Sequence, residues 1–541
     1  MSIPGPEFHP IGLLEHSTAA ALEEKSKLKK HFGRFDIFFF LICTIVGLDT
    51  LGQVASKGAQ AFVWLIFLGV FFFLPYAMLV AELGSTFREE GGSYIWTKLA
   101  LGRPIASVNA VMYWISNPIW LGGTLSITAF ATFTTFFWTG DHSTRLTEVV
   151  QIIFGLIFIW VATWSAILSF GIGKWIPTLG AWCRMVLLGG FTISAIIYAF
   201  SNGLSLPSGG DFTPSYGLFI VLVPLLFFNY VGFELPNAAG DEMEDAQKDV
   251  PVTVLRACVT AILMYGLPIL AIVCVLPKSQ ITGVGGFMDS IKAVFTVFGG
   301  HADVAKDGSL NVTLTGAGKV LGDIAALGFI LALVSSACTW LMGSDRSQAV
   351  AAYDGCGPRW LGTFSAKYGT PINVNFTSGV LSTLVFVLAS QLNGSAATIF
   401  AAMIGVVLLF TTISYILIFP TLIKLRQTHG DVHRPFKVPF GMNGVWFCGV
   451  ICTAWAVFAT IVGLFPGLGD GQFLNNQDLS DSYGMSRAGY TSLAFGAIAV
   501  TFLVGCVFYW AGAKTRAEIA PGAVGLPPDL AGDAAFAPAG D

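Results

Sequence analysis

Two apolar stretches of the chain are each interrupted by glycine and an acidic residue, a pattern that could do chemistry. Residues 44–53 contain two glycines and Asp49, and residues 219–251 contain Gly232 and Glu234 ahead of a charged run. A bilayer cannot satisfy free backbone groups. A helix that breaks at membrane depth is therefore tolerated only where the freed groups are buried in protein or line a cavity. The pattern predicts a binding site at these breaks.

The elements that must position these residues are apolar runs long enough to span a bilayer. Of 541 residues, 54% are hydrophobic and only 11% are charged, whereas soluble domains carry about a quarter charged residues. A helical span needs about 20 apolar residues. Twelve such runs are predicted, near residues 35–57, 61–84, 104–138, 147–170, 175–200, 216–236, 252–276, 318–342, 372–392, 396–423, 443–466 and 488–511. The fold class is therefore an all-α integral membrane protein with twelve transmembrane helices.

One membrane domain, residues 35–512, takes up nearly the whole chain. Residues 1–34 are polar and end in a basic run, and residues 513–541 are rich in alanine, proline and glycine, which favours disorder. Most of the 28 basic residues fall on one side of the twelve spans, and the positive-inside rule makes that side the cytosol. We expect a multi-pass protein of the plasma membrane with both terminal tails in the cytoplasm.

The two interrupted spans are the first and the sixth, which are corresponding positions in two halves of five spans. Paired, interrupted helices at such positions indicate the substrate site of an inverted-repeat transporter. The alternative is that the glycines only allow close helix packing. Two breaks in register, each with an acid, favour a site.

Four segments resemble the amino acid/polyamine/organocation (APC) permease superfamily. Residues 81–96 contain a Glu-Leu pair followed by Gly-Gly-x-Tyr, and residues 228–234 read FNYVGFE where the family reads FAYxGFE. Residues 343–371 resemble the segment after the eighth family helix, and residues 433–439 resemble the loop after the tenth. The four occur in family order and span most of the chain.

The resemblance implies the LeuT-type fold, a five-plus-five inverted repeat with the first and sixth helices broken around a central site. It also implies secondary active transport of an amino acid by alternating access. An amine or polyamine permease and a nutrient sensor that binds without transport remain open alternatives.

The resemblance also implies which residues contact the substrate. Unwound backbone at residues 47–51 would offer N–H groups to a carboxylate, because helix N-terminal donors favour an anion. The carbonyl groups of Phe228, Asn229 and Val231 would take the ammonium group, and Phe228 matches an aromatic gate. The full predicted set is Thr44, Val46, Gly47, Leu48, Asp49, Thr50, Leu51, Phe228, Asn229, Val231 and Glu234.

Two residues in this set depart from the family pattern. Asp49 replaces the second glycine of the usual first break, and a carboxylate there would repel a substrate carboxylate and attract an amine. An acid at membrane depth is functional by default, although Asp49 could instead cap the half-helix or pair with a buried cation. Asn229 replaces a small alanine and adds a polar side chain. A zwitterionic amino acid stays the favoured cargo.

Arg184 in the fifth span is a third departure. Several members of the family carry a lysine near this position, which stands in for the sodium ion of ion-coupled relatives beside hydroxyl groups of the eighth helix. Here those hydroxyls would be Ser335 and Ser336, and a fixed guanidinium would argue against sodium coupling. The alternative is that Arg184 extends to the membrane surface.

Other ionisable residues are candidates for ion coupling or for gating. Glu82, Glu234 and Asp323 are the coupling candidates, whereas Arg346 and Asp354 are expected to make polar contacts at an inner gate. The long loop at residues 277–316 could carry a short helix near residues 287–298.

The sequence does not favour the main alternative classes. It contains no HExxH or GxSxG motif and no histidine cluster at metal-ligand spacing, so an enzyme is not expected. A channel would want repeated polar rings along a pore. We expect no cofactor, no metal site and no nucleic-acid partner, and a small amino acid or amine and the lipid bilayer as the binding partners.

Overall fold

The computed structural model describes residues 32–140, 142–168, 175–204, 206–276, 286–304, 310–391, 396–466, 478–479 and 484–518. Most of these residues are helical. The helices are α1 (Arg34–Ile45), α2 (Leu51–Ala55), α3 (Ala59–Thr86), α4 (Ser93–Leu101), α5 (Arg103–Phe136), α6 (Thr144–Ile167), α7 (Trp175–Asn202), α8 (Tyr216–Asn229), α9 (Ala246–Val275), α10 (Gly286–Phe295), α11 (Gly316–Cys356), α12 (Ile372–Ala389), α13 (Thr398–Thr428), α14 (Gly441–Leu464) and α15 (Arg487–Ala517).

Ten helices of the described chain are long and apolar enough to cross a membrane. They are α3, α5, α6, α7, α9 and α11 to α15, and each overlaps a predicted span. Their outer faces are apolar, with Val186 of α7 68% exposed and Leu503 of α15 61% exposed. Such faces would be costly in water and suit contact with lipid. The protein is therefore a helical, multi-pass membrane protein.

The two remaining predicted spans, the first and the sixth, correspond to shorter helices. The first predicted span, near residues 35–57, contains α1 with 12 residues and α2 with 5 residues, joined by the non-helical segment 46–50. The sixth contains α8, which ends at Asn229. A turn follows α8, and then the 3-10 helix Leu235–Glu242.

Several helix starts follow ordinary capping chemistry. Ser143 accepts a hydrogen bond from the backbone of Leu146 at the start of α6, and Asp245 accepts one from the backbone of Lys248 at the start of α9. These side chains satisfy donors that a helix cannot pair internally. Ser486 has the same role at the start of α15.

The core lies where the short helices meet the long ones. α9 packs along α3 and α1, and α11 packs against α7, α5, α6 and α1. The segments 46–50 and 230–234 are both buried inside this group. Five elements, α1, α5, α8, α9 and α11, therefore surround the two non-helical segments.

A short helix, α10, is found where the long loop was predicted to carry one, near residues 287–298. It packs directly on α2, because a Cβ atom on Gly52 would lie 2.7 Å from the backbone nitrogen of Phe287. An antiparallel hairpin of β1 (Gly300–Val304) and β2 (Leu310–Leu314) follows, with Gly300 opposite Leu314. A second pair joins β3 (Asp478–Leu479) to β4 (Met485–Ser486).

The terminal tails were predicted at residues 1–34 and 513–541. Residues 1–31 and 519–541 lie outside the described residues. The described remainder is bonded to the helical domain: the backbone N–H of Phe32 donates to Glu242 at 3.0 Å, and Arg34 pairs with Asp249 at 2.6 Å.

Candidate substrate site

The first non-helical segment is closed by one tyrosine. α1 ends at Ile45, and the Tyr265 hydroxyl of α9 donates to the Ile45 carbonyl at 2.8 Å. The same hydroxyl accepts from the Gly47 backbone N–H at 2.7 Å. Because buried backbone groups need partners, Tyr265 satisfies both sides of the interruption, and the Gly47 donor is occupied in this arrangement.

Two other carbonyls at the end of α1 are also satisfied by side chains. The indole N–H of Trp340 on α11 donates to Thr44 at 3.0 Å. The guanidinium of Arg184 on α7 donates to Val46 at 2.8 Å. Three helices, α7, α9 and α11, thus hold one end of the segment in place.

The second non-helical segment packs against the first at Gly232. Its φ of 117° lies in the region that favours glycine. A Cβ atom there would also lie 2.5 Å from the Thr44 side chain and 3.1 Å from the Trp340 ring. Only glycine fits both the backbone and the space, so this residue lets the two segments meet.

A tyrosine also binds the backbone of the second segment. The N–H groups of Gly232 and Phe233 donate to the Tyr76 hydroxyl of α3 at 3.1 and 3.0 Å. That hydroxyl in turn donates to the Glu234 carboxylate. Tyr76 therefore links the freed backbone to the acid.

Glu234 accepts hydrogen bonds from three tyrosine hydroxyls. Besides Tyr76, Tyr113 of α5 donates to it at 2.5 Å and Tyr415 of α13 at 2.6 Å. The carboxylate is 2% exposed. These contacts join α3, α5 and α13 at the second segment.

A small cavity of about 10 Å³ lies between the two segments. It is lined by Thr44, Ile45, Gly47, Trp120, Phe228, Asn229, Tyr265 and Trp340. The Trp120 ring meets the Phe228 ring edge-on at 5.7 Å and the Trp340 ring at 6.0 Å. This volume has room for about one water molecule, so the arrangement is closed around its site.

Two side chains beside this cavity have polar atoms without a partner. Asp49 is 3% exposed. Its Oδ2 accepts from the Trp120 indole at 3.0 Å, whereas its Oδ1 has no hydrogen-bond partner among the described residues. Thr50 donates to Asn229 Oδ1 at 2.6 Å, and Asn229 Nδ2 likewise lacks an acceptor in the described chain. Among the described residues, Asp49 Oδ1 is therefore an acceptor and Asn229 Nδ2 a donor that a ligand could bind.

Arg184 has no exposed surface, so its side chain does not extend to the membrane surface. Its guanidinium has acceptors on α1, α7 and α11, with Ser335 and Ser336 among them. They are Cys43 Sγ at 3.3 Å, Val46 O just after α1 at 2.8 Å, Gly180 O at 2.9 Å, Ser335 Oγ at 2.8 Å, Ala332 O at 2.7 Å and Ser336 Oγ. Ser336 also donates to the carbonyl of Cys43 on α1 at 3.2 Å. A charge-assisted network of this kind fixes the relative positions of the three helices.

The predicted site residues fall into three places. Thr44, Gly47, Phe228 and Asn229 line the cavity. Glu234 lies in the tyrosine cluster instead. The others lie in or beside the two non-helical segments without lining the cavity: Val46, Leu48, Asp49, Thr50, Leu51 and Val231.

Sequence reasoning missed three aromatic residues of the cavity. Trp120, Tyr265 and Trp340 come from α5, α9 and α11, whose apolar sequences give no sign of a site. Trp120 and Trp340 are two of 14 tryptophans in the chain. Only their position relative to the breaks distinguishes them.

Four of the other ionisable candidates are bound outside the cavity. Glu82 pairs with Arg426 at 2.9 Å and Arg434 at 3.2 Å. Asp323 pairs with Lys319 at 2.7 Å on the partly exposed face of α11. Arg346 and Asp354 each belong to a buried ion cluster. The ion pairs of Glu82 and Asp323 therefore lie away from the cavity.

The Asp354 cluster joins α4, α5 and the end of α11. Its carboxylate pairs with Lys98 at 2.9 Å and with Arg103 at 3.0 Å, and Tyr94 donates to it at 2.6 Å. Every member is buried.

The Arg346 cluster joins α11 to the segments that follow α3 and α8. Arg346 pairs with Glu90 at 2.8 Å and Glu242 at 3.2 Å. Burial raises the pKa of Glu242 to about 7, although Arg346 opposes this shift. Burial also raises the pKa of Glu90 well above its ordinary value. One cation thus serves two buried acids.

The chain is similar in sequence to known transport proteins. A family model described as amino acid permease matches residues 32–477. A probable agmatine/putrescine antiporter of Lactococcus lactis is 27% identical over 422 residues, covering 77% of this chain and 84% of that protein. An uncharacterized transporter of Legionella pneumophila is 26% identical over 457 residues, covering 81% and 90%. A glutamate/gamma-aminobutyrate antiporter of Lactococcus lactis is 20% identical over 450 residues, covering 80% and 83%.

The family model covers well over half of the chain and includes both non-helical segments, the cavity, Arg184 and the buried ion clusters. The helical bundle and its apolar exterior fit the same assignment. The chain belongs to the amino acid permease family.

Proposed function

We propose that this protein is a secondary transporter that carries a small amine across the plasma membrane by alternating access. The observation that carries the proposal is the buried Asp49 carboxylate, whose Oδ1 has no partner in the described chain. A carboxylate in a closed, largely aromatic site is suited to an ammonium or guanidinium group. The agmatine/putrescine antiporter among the relatives supports an amine, which the sequence alone gave as the alternative to an amino acid.

The proposed fold is the five-plus-five inverted repeat with twelve spans in residues 35–512. In it, α1 and α2 form the broken first span, and α8 with the segment that follows forms the broken sixth. Both termini lie in the cytoplasm. The ten long helices and the two short, interrupted ones support this count.

The aromatic lining supports a cationic ligand. Trp120, Phe228, Trp340 and Tyr265 surround the cavity, and aromatic faces attract cations by about 0.5–2 kcal/mol each. Asp49 would bind the positive group through Oδ1, and Asn229 Nδ2 would donate to an acceptor on the ligand. Thr44, Gly47 and Phe228 would complete the contact surface.

A substrate carboxylate is less well provided for. The Gly47 N–H that would bind it already donates to Tyr265, and the negative charge of Asp49 would repel it. Val46, Leu48, Thr50, Leu51 and Val231 are proposed to contact the substrate through backbone groups once the segments move. Glu234 is proposed to hold the second segment closed, because its oxygens already accept from three tyrosines.

Alternating access would open this closed arrangement on either side in turn. α10 packs on α2 at one end of the site, through Gly52. The tyrosine cluster at Glu234 closes the second segment. Movement of either element would enlarge the cavity beyond its present 10 Å³.

Flux measurements with the purified protein in proteoliposomes test the proposal. The panel would contain agmatine, putrescine, neutral amino acids and glutamate, each as a radiolabelled substrate. We expect amines to be taken up, and we expect Asp49→Asn to lower their kcat/KM by about 10- to 100-fold, because hydrogen bonds to charged groups contribute about 1.5–3 kcal/mol. Asp323→Asn, on the partly exposed face of α11, is the matched control.

Zwitterionic amino acids are the second candidate substrate, favoured by the description of the family and by the glutamate/gamma-aminobutyrate relative. Uptake of neutral amino acids with no uptake of amines would favour this candidate and overturn the amine proposal. Saturable binding of a substrate without any flux would instead identify a sensor.

A further inference from the structure

A second buried acid, Asp345, lies outside the cavity and was not among the predicted site residues. It has no exposed surface on α11. Its Oδ1 accepts from the Ser378 hydroxyl of α12 at 2.8 Å. Ser378 in turn accepts from the Trp114 indole of α5 at 2.8 Å. Asp345 Oδ2 has no hydrogen-bond partner within the described ranges.

The charged groups on the elements around Asp345 are bound to other partners or lie at the surface. α12 carries no ionisable side chain. The remaining charged or titratable groups include Lys319 with Asp323 on α11 itself, Arg346 with Glu90 and Glu242, Arg103 and Lys98 with Asp354, Tyr113 with Glu234, Arg184 with α1 and α11, and the exposed Arg145 and Glu148 of α6. No ion pair to Asp345 exists in the described part of the chain. An ionised carboxylate without a cation is costly at membrane depth, so the closed arrangement favours the neutral acid.

Polar side chains continue from Asp345 toward one end of the three helices. Gln348 lies one turn further along α11, Asn375 lies one turn before Ser378 on α12, and Asn109 lies on α5. Each is buried and has a side-chain atom without a partner in the described residues. Residues three or four apart share a helix face. The ends of α11 and α5 meet at the pair of Asp354 with Arg103. These side chains therefore form a polar track from Asp345 to that end.

We propose that Asp345 is the residue that binds and releases a proton during transport. The step is the binding of one proton to the carboxylate, which gives the neutral acid, and its release along the polar track; no other reactant is needed. This inference rests on the proposed transport function and adds the proton as coupling ion.

The position of Asp345 on α11 explains how its charge would act on the site. The same helix supplies Trp340 to the cavity and Ser335 and Ser336 to Arg184. The neutral acid can stay packed between α5 and α12. The ionised acid needs water or a donor for Oδ2, which requires α11 to separate from these helices. Protonation would therefore favour the closed site and release would favour its opening.

The experiment uses full-length protein in proteoliposomes that contain a trapped pH-sensitive dye. We expect the wild type to move protons when substrate is added and to take up substrate faster under an imposed pH gradient. Asp345→Asn imitates the neutral acid. It should keep exchange of labelled for unlabelled substrate at equal pH but lose about tenfold or more of the substrate-induced proton movement, because the amide cannot release a proton. Asp323→Asn, on the same helix, should behave as the wild type.

A second measurement keeps the proposal testable if Asp345→Asn is not recovered as folded protein. Infrared spectra should show the carbonyl stretch of a protonated carboxylic acid, and Ser378→Ala, which removes the donor to Asp345 Oδ1, should shift that band and move the pH profile of uptake to higher pH. Equal proton movement in the wild type and Asp345→Asn, or a Ser378→Ala variant with an unchanged band and pH profile, would overturn the proposal. Absence of flux for every substrate in the wild type would instead contradict the transport function itself.

Discussion

Arg184 and Asp49 are both buried ionisable residues near the break after α1, but their surroundings differ. Each of the three guanidinium nitrogens of Arg184 donates to at least one acceptor. The carboxylate of Asp49 accepts from Trp120 through Oδ2, whereas its Oδ1 has no partner in the described chain. The fold supplies hydrogen-bond partners for the whole guanidinium of Arg184 but for only part of the carboxylate of Asp49.

This difference separates residues that hold the site from residues that act in it. A buried charge with a full set of hydrogen bonds fixes the packing around it. A buried polar atom without a partner costs about 1–3 kcal/mol, and such a cost is recovered when a ligand supplies the partner. We therefore propose that Arg184 supports the site, that Asp49 binds the ligand, and that Asp345, which also has an oxygen without a partner among the described residues, binds the proton.

The largest expected effect is the loss of the Arg184 network. Arg184→Met would leave the carbonyl of Val46 buried without its donor and would remove the bonds from the guanidinium to α7 and α11. We expect the free energy of unfolding in detergent to fall by about 3 kcal/mol, because a buried carbonyl without a donor costs about 1–3 kcal/mol and the charge-assisted bonds to α7 and α11 are lost as well. A denaturant titration followed by tryptophan fluorescence would measure it.

Arg359→Met is the control for this variant. Arg359 is 60% exposed and lies 3.6 Å from Glu518, and exposed pairs contribute about 0–1 kcal/mol. If Arg184→Met unfolds at the same denaturant concentration as Arg359→Met, the guanidinium does not support the site and the comparison with Asp49 fails.

Glu234 is a buried acid with several hydrogen-bond donors, so it tests the comparison between Arg184 and Asp49. It accepts from three tyrosine hydroxyls, whereas Asp49 accepts from one indole. We expect Glu234→Gln to lower the free energy of unfolding by about 2 kcal/mol, because bonds to a charged acceptor are stronger than bonds to an amide. Asp49→Asn, measured in the same titration, should leave stability unchanged or raise it. Equal losses in both variants would show that the number of donors does not separate the two roles.

The sequence predicted interruptions within residues 44–53 and 219–251, since glycine and acids inside apolar runs have a direct physical meaning. It could not predict the side chains that close those segments. Tyr265, Tyr76 and Trp340 are distant in sequence and lie in helices that read as ordinary apolar spans. Their role follows only from packing.

The same limit applies to Arg184 and Asp345. The sequence allowed Arg184 either to lie buried beside α11 or to extend to the membrane surface. Its side chain has no exposed surface, so it is buried. Asp345 stands next to Arg346 in the chain, so an ion pair between neighbours is easily assumed. On the helix the two side chains point in different directions, Arg346 to Glu242 and Asp345 to Ser378. The helical period, rather than sequence distance, determines which acid has a cation.

A smaller, pH-dependent effect is expected at the Arg346 cluster. Its acids are intermediate between well-bonded Arg184 and poorly bonded Asp49, because two carboxylates share the cation Arg346. Burial raises the pKa of Glu242 from 4.5 to about 7, so the folded protein holds a proton that the unfolded chain releases. The corresponding stability is fully present below pH 4.5 and is lost as the pH rises to about 7. The thermal unfolding midpoint of the wild type should therefore fall over this range relative to that of Glu242→Gln.

Glu244→Gln is the matched control, because Glu244 is exposed and lies two residues away. Its pH profile should follow that of the wild type. If the difference between wild type and Glu242→Gln stays constant between pH 4.5 and 7, Glu242 is not the group that takes up the proton.

The smallest expected effect concerns sodium. The hydrogen-bonded guanidinium of Arg184 predicts that sodium does not change the rate of substrate uptake. Arg184 occupies the space between α1, α7 and α11 where Ser335 and Ser336 offer their oxygens. A guanidinium stays protonated in proteins and would exclude a second cation from these ligands. We expect the initial rate of substrate uptake to be the same with sodium or potassium on both sides of the membrane, and in either direction of an imposed sodium gradient. A steep sodium requirement in the wild type would mean that the cation site lies elsewhere, and a saturated buried charge would then carry no information about coupling.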